Sequence, residues 1–282
     1  MIPPMTKRLI VNADDLGINP QRTHGIFLCF EEGIVRSASV LPNFSDSNQA
    51  AKHARERGLS CGLHFNITEG AALCKQADIE TLLTPDGFFH ARNIVQRLLD
   101  EEKIDPMHIE REARAQMEWM FDHYGAPSHL DSHHNVHIHP FVIPRLLPIL
   151  DRFGIGLVRI TREYFETPWE VEPEQLKYVA EVSKKAEEAF ALYSAHGIRT
   201  TDHFRGLLLA KNASLKNLRH ILSRLPEGTT ELMVHPGSPT STGDDFELDP
   251  QRQTELRMLT DDTIPELLKT QKIELASFAD IL

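Results

Sequence analysis

The stretch Ser128 to Pro140 reads Ser-His-Leu-Asp-Ser-His-His-Asn-Val-His-Ile-His-Pro and holds five of the fifteen histidines of the chain. In an extended strand, alternate side chains point to the same side. We expect a strand here to end near Ser132, with the remaining residues forming the loop that follows it. In extended register the polar side would carry His129, Asp131, His133, Asn135, His137 and His139, and the other side would include Leu130, Val136, Ile138 and Pro140.

Imidazole nitrogens and carboxylate oxygens are ligands for zinc, iron, nickel, manganese and related divalent ions. A single histidine in such a stretch would more simply be a surface residue without a role. Five histidines and an aspartate so close together are instead typical of metal binding. The stretch therefore predicts a metal site, with a His-rich surface loop as the alternative.

Three other apolar runs also carry polar residues at or near their carboxyl ends. Residues 8–13 lead into the pair Asp14-Asp15, residues 59–67 contain His64, and residues 229–235 end at His235. Taken alone, each signal is weak, because a carboxylate pair can cap a helix and a lone histidine can lie in a core or a turn. Their shared position at strand ends suggests that all of them meet the His-rich stretch at one rim.

Short apolar strands alternate with helical segments along the chain, which is typical of a parallel sheet covered by helices. In a (β/α) barrel, the loops at the carboxyl ends of the strands converge on the active site. An open doubly wound sheet is the other option, although no Gly-rich phosphate fingerprint follows the first strand. Besides the His-rich strand, the pattern predicts strands at 8–13, 37–41, 59–67, 156–160, 199–205, 229–235 and 273–275, and helices at 20–32, 45–57, 91–101, 107–124, 141–153, 173–196, 214–225 and 251–268.

The composition is that of an ordinary globular protein. The chain has 282 residues, of which 41% are hydrophobic and 25% charged, enough for one large domain or two small ones. Its net charge of −11 argues against duplex nucleic acid or an anionic membrane as the main partner, because both require a basic surface.

Three observations favour a cytoplasmic protein. Residues 1–8 contain no apolar stretch resembling a signal peptide, and no apolar run approaches the roughly 20 residues that span a bilayer. The chain has three cysteines, Cys29, Cys61 and Cys74, which is an odd number, and they lack CxxC spacing, so a disulfide framework is not expected.

Residues 70–90 show little periodicity, which indicates an insertion that forms either a lid or part of a substrate groove.

Five motifs follow one another along the chain: IVNADDLG (10–17), GIVRSAS (33–39), GLHFNITEG (62–70), HLDSHHNVH (129–137) and HPG (235–237). Together they resemble the motifs of the YdjC-like carbohydrate deacetylases, which include the chitooligosaccharide deacetylases. Leu16 stands where that family usually has Phe, which we interpret as a packing change, and Asn135 stands where many members have a third consecutive His.

The resemblance implies a distorted TIM-like (β/α) barrel of about seven parallel strands, a single domain over residues 1–282, and hydrolysis of an N-acetyl group on a sugar. It also implies one divalent metal ion, magnesium or zinc, with Asp15, His64 and His133 as ligands. Asp14 would be the base and His235 the general acid, although the two aspartates could exchange roles. The partner would be an N-acetylated sugar, and a homodimer is compatible with the family.

Four further residues are candidates for sugar contacts or for supporting the metal ligands. These include Asp131, which could bond the second ring nitrogen of His133, since metal-bound histidines usually have such a partner. Asp131 could instead cap a turn. The other three candidates are Asn66, His137 and Arg205.

Two other functions remain open at this stage. A metal-dependent phosphoesterase would use similar ligands, often with a second metal about 3.5–4 Å from the first, and Asp131 and His137 could serve it. A non-catalytic, metal-stabilised sugar-binding protein would need neither the acid beside the proposed ligand nor His235.

Overall fold

The computed structural model describes residues 6–164, 166–241, 243 and 245–282. Its centre is one sheet of seven strands in the order β4-β3-β2-β1-β6-β5, with β7 pairing to the first half of β1. Every strand pair is parallel. The strands are β1 Lys7–Leu16, β2 Ser37–Val40, β3 Ser60–Phe65, β4 Leu130–Ser132, β5 His203–Arg205, β6 Gly228–Val234 and β7 Ile273–Ala276.

The sheet curls toward closure. Beyond β4, Leu130 makes a single parallel bridge to Val158, and Leu157 makes one to Arg199, which lies shortly before β5. These bridges carry the pairing from one edge of the sheet round toward the other. The predicted α/β fold, a distorted TIM-like barrel, is confirmed.

Helices cover the outside of the sheet, and local sequence defines several of their ends. The Asn19 side chain caps the first helix by accepting from the Arg22 N–H, and Gly58 and Gly154 end two others in the left-handed conformation. The helices are α1 Pro20–Glu31, α2 Ser47–Arg57, α3 Arg92–Asp100, α4 Pro106–His123, α5 Ile143–Phe153, α6 Pro173–Ala195, α7 Leu215–Ser223, α8 Asp245–Leu248, α9 Gln251–Leu259 and α10 Ile264–Thr270.

Two predicted elements differ from the structure. Residues 156–160 were expected to form a strand but make only the two single bridges. Residues 251–268 were expected to form one helix but form α9 and α10, separated at residues 260–263. Pro265 explains the break, since its ring and missing N–H are tolerated in the first turn of a helix but not within one.

The predicted insertion at residues 70–90 is a folded rim. It contains two short 3₁₀ turns, Gln76–Asp78 and Glu80–Leu82, and an antiparallel bridge joins Ala71 to Phe88. Ile79, Leu82, Leu83 and Phe89 are buried in the hydrophobic cluster that also contains Leu63 of β3 and Leu130 of β4. This packing ties the segment to the barrel, and its role as a lid stays a prediction.

Two simpler expectations concern the cysteines and membrane segments. Cys29 and Cys61 are free and buried, and Cys74 is free and partly buried. None of the helices in the described part of the chain combines the length and apolar character needed to cross a bilayer.

Candidate active site

A cavity of about 1060 Å³ opens at the carboxyl ends of the strands. Its wall receives side chains from the end of β1, from β3, from the turn after β4 and from the residue after β6. The five residues that the sequence proposed as ligands and proton-transfer groups all line it: Asp14, Asp15, His64, His133 and His235.

Asp14 and Asp15 both reach the cavity because the end of β1 is irregular. Neighbouring residues of a regular strand point to opposite faces. Here Asp15 has a left-handed backbone (φ 66°), and the register of β1 against β2 shifts between Ala13 and Leu16. Such backbone geometry is uncommon for a residue other than glycine and clusters at functional sites.

Asp15, His64 and His133 bring three ligand atoms within 4.8 Å of one another. The Asp15 Oδ1 atom lies 3.3 Å from His64 Nε2 and 3.0 Å from His133 Nδ1. All three side chains are at least nine-tenths buried. Two imidazole nitrogens and one carboxylate oxygen, with coordination positions left open, fit the donor set of a catalytic divalent metal.

The ionisation of each member of this group depends on the charged groups beside it. Burial lowers the pKa of His64, but the charge and hydrogen bond of Asp131 outweigh it and raise that pKa to about 10. Burial likewise opposes the charge of Asp15 at His133, whose pKa rises to about 9. Burial also disfavours ionised Asp15, yet His133 and His64 hold its pKa well below the usual value. Both rings are therefore protonated at neutral pH, and a divalent cation could replace those protons.

Asp131 supports His64 rather than His133, which corrects the partner proposed from the sequence. Its Oδ1 atom accepts a 2.7 Å hydrogen bond from His64 Nδ1. The reason lies in strand register, because His64 and Asp131 are opposite each other in the parallel pair β3–β4, whereas His133 lies beyond the end of β4. The other oxygen of Asp131 accepts from the Ser39 hydroxyl at 2.6 Å.

Sequence reasoning missed Arg159, which is fully buried beneath the site. Its guanidinium binds both oxygens of Asp14, at 2.6 and 2.7 Å. It also lies 2.8 Å from Asp131 and 2.6 Å from Glu231. A single arginine within the apolar run 157–160 was the available signal, since fully buried arginines are almost always paired.

His235 lies beside Asp14, with 3.9 Å between its Nε2 atom and Asp14 Oδ2. Its ring meets Phe246 edge-on at 5.1 Å, and its carbonyl accepts a 2.8 Å hydrogen bond from Arg22. The Nδ1 atom is buried and has no hydrogen-bond partner among the described residues. Burial lowers the pKa of His235 well below its ordinary value, so the ring is neutral at pH 7.

The other candidates do not line the cavity. Asn66 is fully buried, and its side chain bonds to residues of its own loop and to Asn43. His137 is also fully buried, between Ser132 and the Arg159 carbonyl, and burial lowers its pKa to about 3. Arg205 donates to the Phe204 carbonyl at 2.7 Å. The structure thus places Asn66, His137 and Arg205 outside the cavity wall, and their role as substrate contacts or as support for the ligands stays a prediction.

The fold and site together define a parallel α/β barrel whose strand ends carry a candidate metal centre flanked by an acid and a histidine. Residues 8–270 match the model of the YdjC-like protein family, and the chain belongs to that family.

Proteins named carbohydrate deacetylase are among its relatives. One from Danio rerio is 31% identical, and the match covers 99% of this chain and the full length of that protein. One from Homo sapiens is 32% identical, covering 97% of this chain and 91% of its own. A crystal structure from Enterococcus faecalis, of a protein named for cellobiose-phosphate cleavage, is similar in fold. Its TM-score is 0.78 at 24% identity, and the match covers 98% of this chain and 99% of that one.

Proposed function

We propose that this protein is a metal-dependent hydrolase that removes an N-acetyl group from an acetylated amino sugar or a short oligosaccharide. The observation that carries the proposal is the meeting of Asp14, Asp15, His64, His133 and His235 in one cavity. The relatives named carbohydrate deacetylase, which match nearly the whole chain, support the class of substrate.

Asp15, His64 and His133 would hold one divalent ion, magnesium or zinc. Such an ion polarises a bound carbonyl and lowers the pKa of a bound water from 15.7 toward about 7. The rest of the chemistry falls to side chains that are not ligands.

Asp14 is the residue we assign as base. The assignment of Asp15 as ligand and Asp14 as base rests on their partners, because Asp15 lies between the two histidines and Asp14 is held by Arg159. The two hydrogen bonds from Arg159 orient the carboxylate, and Asn12 adds a third at 2.9 Å. A carboxylate held in this way can accept the proton of the attacking water without rotating away.

His235 is the residue we assign as general acid. Because its ring is neutral at rest, it must receive a proton during turnover before it can donate one. Asp14, whose Oδ2 atom lies 3.9 Å from the His235 Nε2 atom, can pass on the proton that it has taken from water. His235 then protonates the leaving nitrogen, which is a poor leaving group otherwise, and acetate and a free amine depart.

The contacts of Asp131 and His137 weigh against the phosphoesterase alternative. Asp131 is ion-paired to Arg159 and hydrogen-bonded to His64, and His137 is enclosed behind the site. Asp14, His64 and Asp131 do bring three ligand atoms within 4.8 Å of one another, but Arg159 already pairs with both carboxylates, so a second metal would have to displace it. Asp14 and His235 in turn weigh against a purely sugar-binding role, because metal binding alone requires neither of them.

The decisive experiment is acetate release from N-acetylglucosamine and short chitooligosaccharides. Metal-stripped protein should be inactive and should recover when refilled with zinc, magnesium, manganese, cobalt or nickel. His133→Ala should lose both metal binding and activity, since it removes a ligand. His24→Ala is the matched control, because His24 is exposed on α1, away from the cavity.

The same assay distinguishes the role of the general acid from that of the metal ligands. His235→Ala should bind metal as the wild type does and lose about 10²- to 10⁴-fold in turnover, the usual contribution of a general acid. Full activity in this variant would show that another group protonates the leaving nitrogen. If refilled protein released no acetate from any of these sugars, a different acetylated substrate would be tested before the hydrolase class is abandoned.

A further inference from the structure

The two histidines of the candidate metal centre have different carboxylate partners. A metal-binding histidine coordinates through one ring nitrogen and donates the N–H of the other, usually to a carboxylate, carbonyl or water. For His64 that partner is Asp131, so the Nε2 atom is left facing Asp15. His133 needs an equivalent partner, and Asp131 is already engaged with His64, Ser39 and Arg159.

Glu69 occupies the position that His133 requires. The Nδ1 atom of His133 faces Asp15, so the proton in a metal-bound ring would have to be on Nε2. That atom lies 3.0 Å from Glu69 Oε2. The His134 ring lies against the same imidazole, with 3.9 Å between ring centroids, and restricts its rotation.

The loop around Glu69 is built to hold this residue in place. The Asn66 Oδ1 atom accepts from the backbone N–H groups of Thr68 and Glu69, and the Asn66 side-chain amide donates to the Glu69 carbonyl at 2.7 Å. Gln116 bonds to both the backbone N–H and the carbonyl of Asn66. These contacts give a role to a fully buried asparagine that does not line the cavity.

We propose that Glu69 is the positioning residue for His133, accepting its Nε2–H and orienting the ring toward the metal. Glu69 differs from Asp131 in one respect, because its side chain is 34% exposed and lines the cavity, whereas Asp131 is fully buried. Glu69, one of the two carboxylates that bind the histidines, is thus within reach of a bound substrate. The inference rests on the metal site of the proposed function but not on its substrate.

The test is metal affinity, measured without turnover. The zinc dissociation constant, from chelator competition, should rise about 10- to 100-fold in Glu69→Ala, the usual range for loss of such a partner. Glu69→Gln keeps an acceptor oxygen and should lose less. The visible absorption of bound Co²⁺ should shift in Glu69→Ala, because the His133 ring is no longer oriented.

The control is Glu174→Ala, which removes an exposed carboxylate from the wall of the same cavity. Circular dichroism and thermal unfolding of the metal-free variants would establish that they fold. Wild-type zinc affinity and an unchanged cobalt spectrum in folded Glu69→Ala would overturn the proposal. So would loss of one coordinating atom in both Glu69 variants, because Glu69 would then be a ligand. Absence of acetate release would bear on the proposed function alone.

Discussion

At the scale of single residues, neighbours in the sequence have different partners in the structure. Asp14 and Asp15 are adjacent, yet one is bound by Arg159 and the other lies between two histidines. The left-handed backbone of Asp15 makes this division possible. His133 and His137 show the same effect, since the first lines the cavity and the second is fully buried behind it.

His137 should make the protein less stable in mild acid. Burial lowers its folded-state pKa to about 3, well under the ordinary value of 6.5. The unfolded chain therefore binds a proton that the folded chain does not, and stability falls as pH drops below 6.5. Between pH 7.5 and 5 this one group should remove about 2 kcal/mol of unfolding free energy.

The measurement is urea unfolding of the wild type and His137→Gln at both pH values. The variant will be less stable at each pH, because its hydrogen bonds change, but its loss between pH 7.5 and 5 should be smaller by about 2 kcal/mol. Comparing the two proteins cancels the contributions of the other buried histidines to the change in unfolding free energy. Equal losses of unfolding free energy between pH 7.5 and 5 in both proteins would show that His137 is protonated in the folded state.

At the scale of elements, close contact between α1 and the turn after β6 positions the histidine assigned as general acid. Gly25 in α1 faces Gly237, and a Cβ atom at Gly25 would lie only 2.6 Å from the Gly237 Cα. Arg22, one turn earlier in the same helix, donates to the His235 carbonyl. The helix thus holds the backbone of His235, and the absence of side chains at Gly25 and Gly237 allows α1 to pack closely against the turn after β6.

Gly25→Ala should displace His235 while leaving the metal ligands in place. The added methyl meets backbone, which cannot rotate away, and overpacking of this kind costs about 1–3 kcal/mol. We expect at least a roughly tenfold fall in kcat, with an unchanged metal dissociation constant, since small misplacements of catalytic groups are costly.

Gly156→Ala is the control for the Gly25 substitution, because no atom lies within 4 Å of the position its Cβ would take. It should leave kcat and metal affinity unchanged. A Gly25→Ala variant with wild-type kcat would show that the turn after β6 can shift without affecting catalysis.

At the scale of the whole molecule, the barrel gathers ionisable groups from distant parts of the chain into one buried region. The Arg159 guanidinium, for example, pairs with one carboxylate from each of the strands β1, β4 and β6. Removing one partner from such a network leaves an unpaired buried charge, which typically costs 3–5 kcal/mol. The candidate metal centre lies on top of this network, so metal binding and folding should be linked.

A divalent metal should therefore raise the melting temperature. A ligand that binds only the folded state, at a hundred times its dissociation constant, adds about 2.7 kcal/mol of stability. For a chain of this size we expect an increase of roughly 5 °C. Thermal unfolding of metal-stripped protein with and without zinc would measure it. His133→Ala should abolish the increase and His24→Ala should retain it, and an equal increase in both would place the metal elsewhere.

The sequence by itself determined the strand–helix alternation and which side chains stand at strand ends. In a parallel barrel all those ends lie on one rim, so the sequence groups Asp14 and Asp15 with His64, the His129–His139 stretch and His235. The family resemblance then singles out His133 within that stretch. Helix bounds were predicted nearly throughout, because apolar periodicity, caps and glycines are local signals. The split between α9 and α10 was also local, in Pro265, and was missed.

Only the tertiary structure decided which group meets which within that rim. Asp131 pairs with His64 because β3 and β4 align them in register, and Glu69 faces His133 because the Asn66 loop turns it back. Arg159 reaches Asp14 across 145 positions of sequence. Such pairings depend on strand register and loop geometry, which long-range packing sets and no local pattern in the chain records.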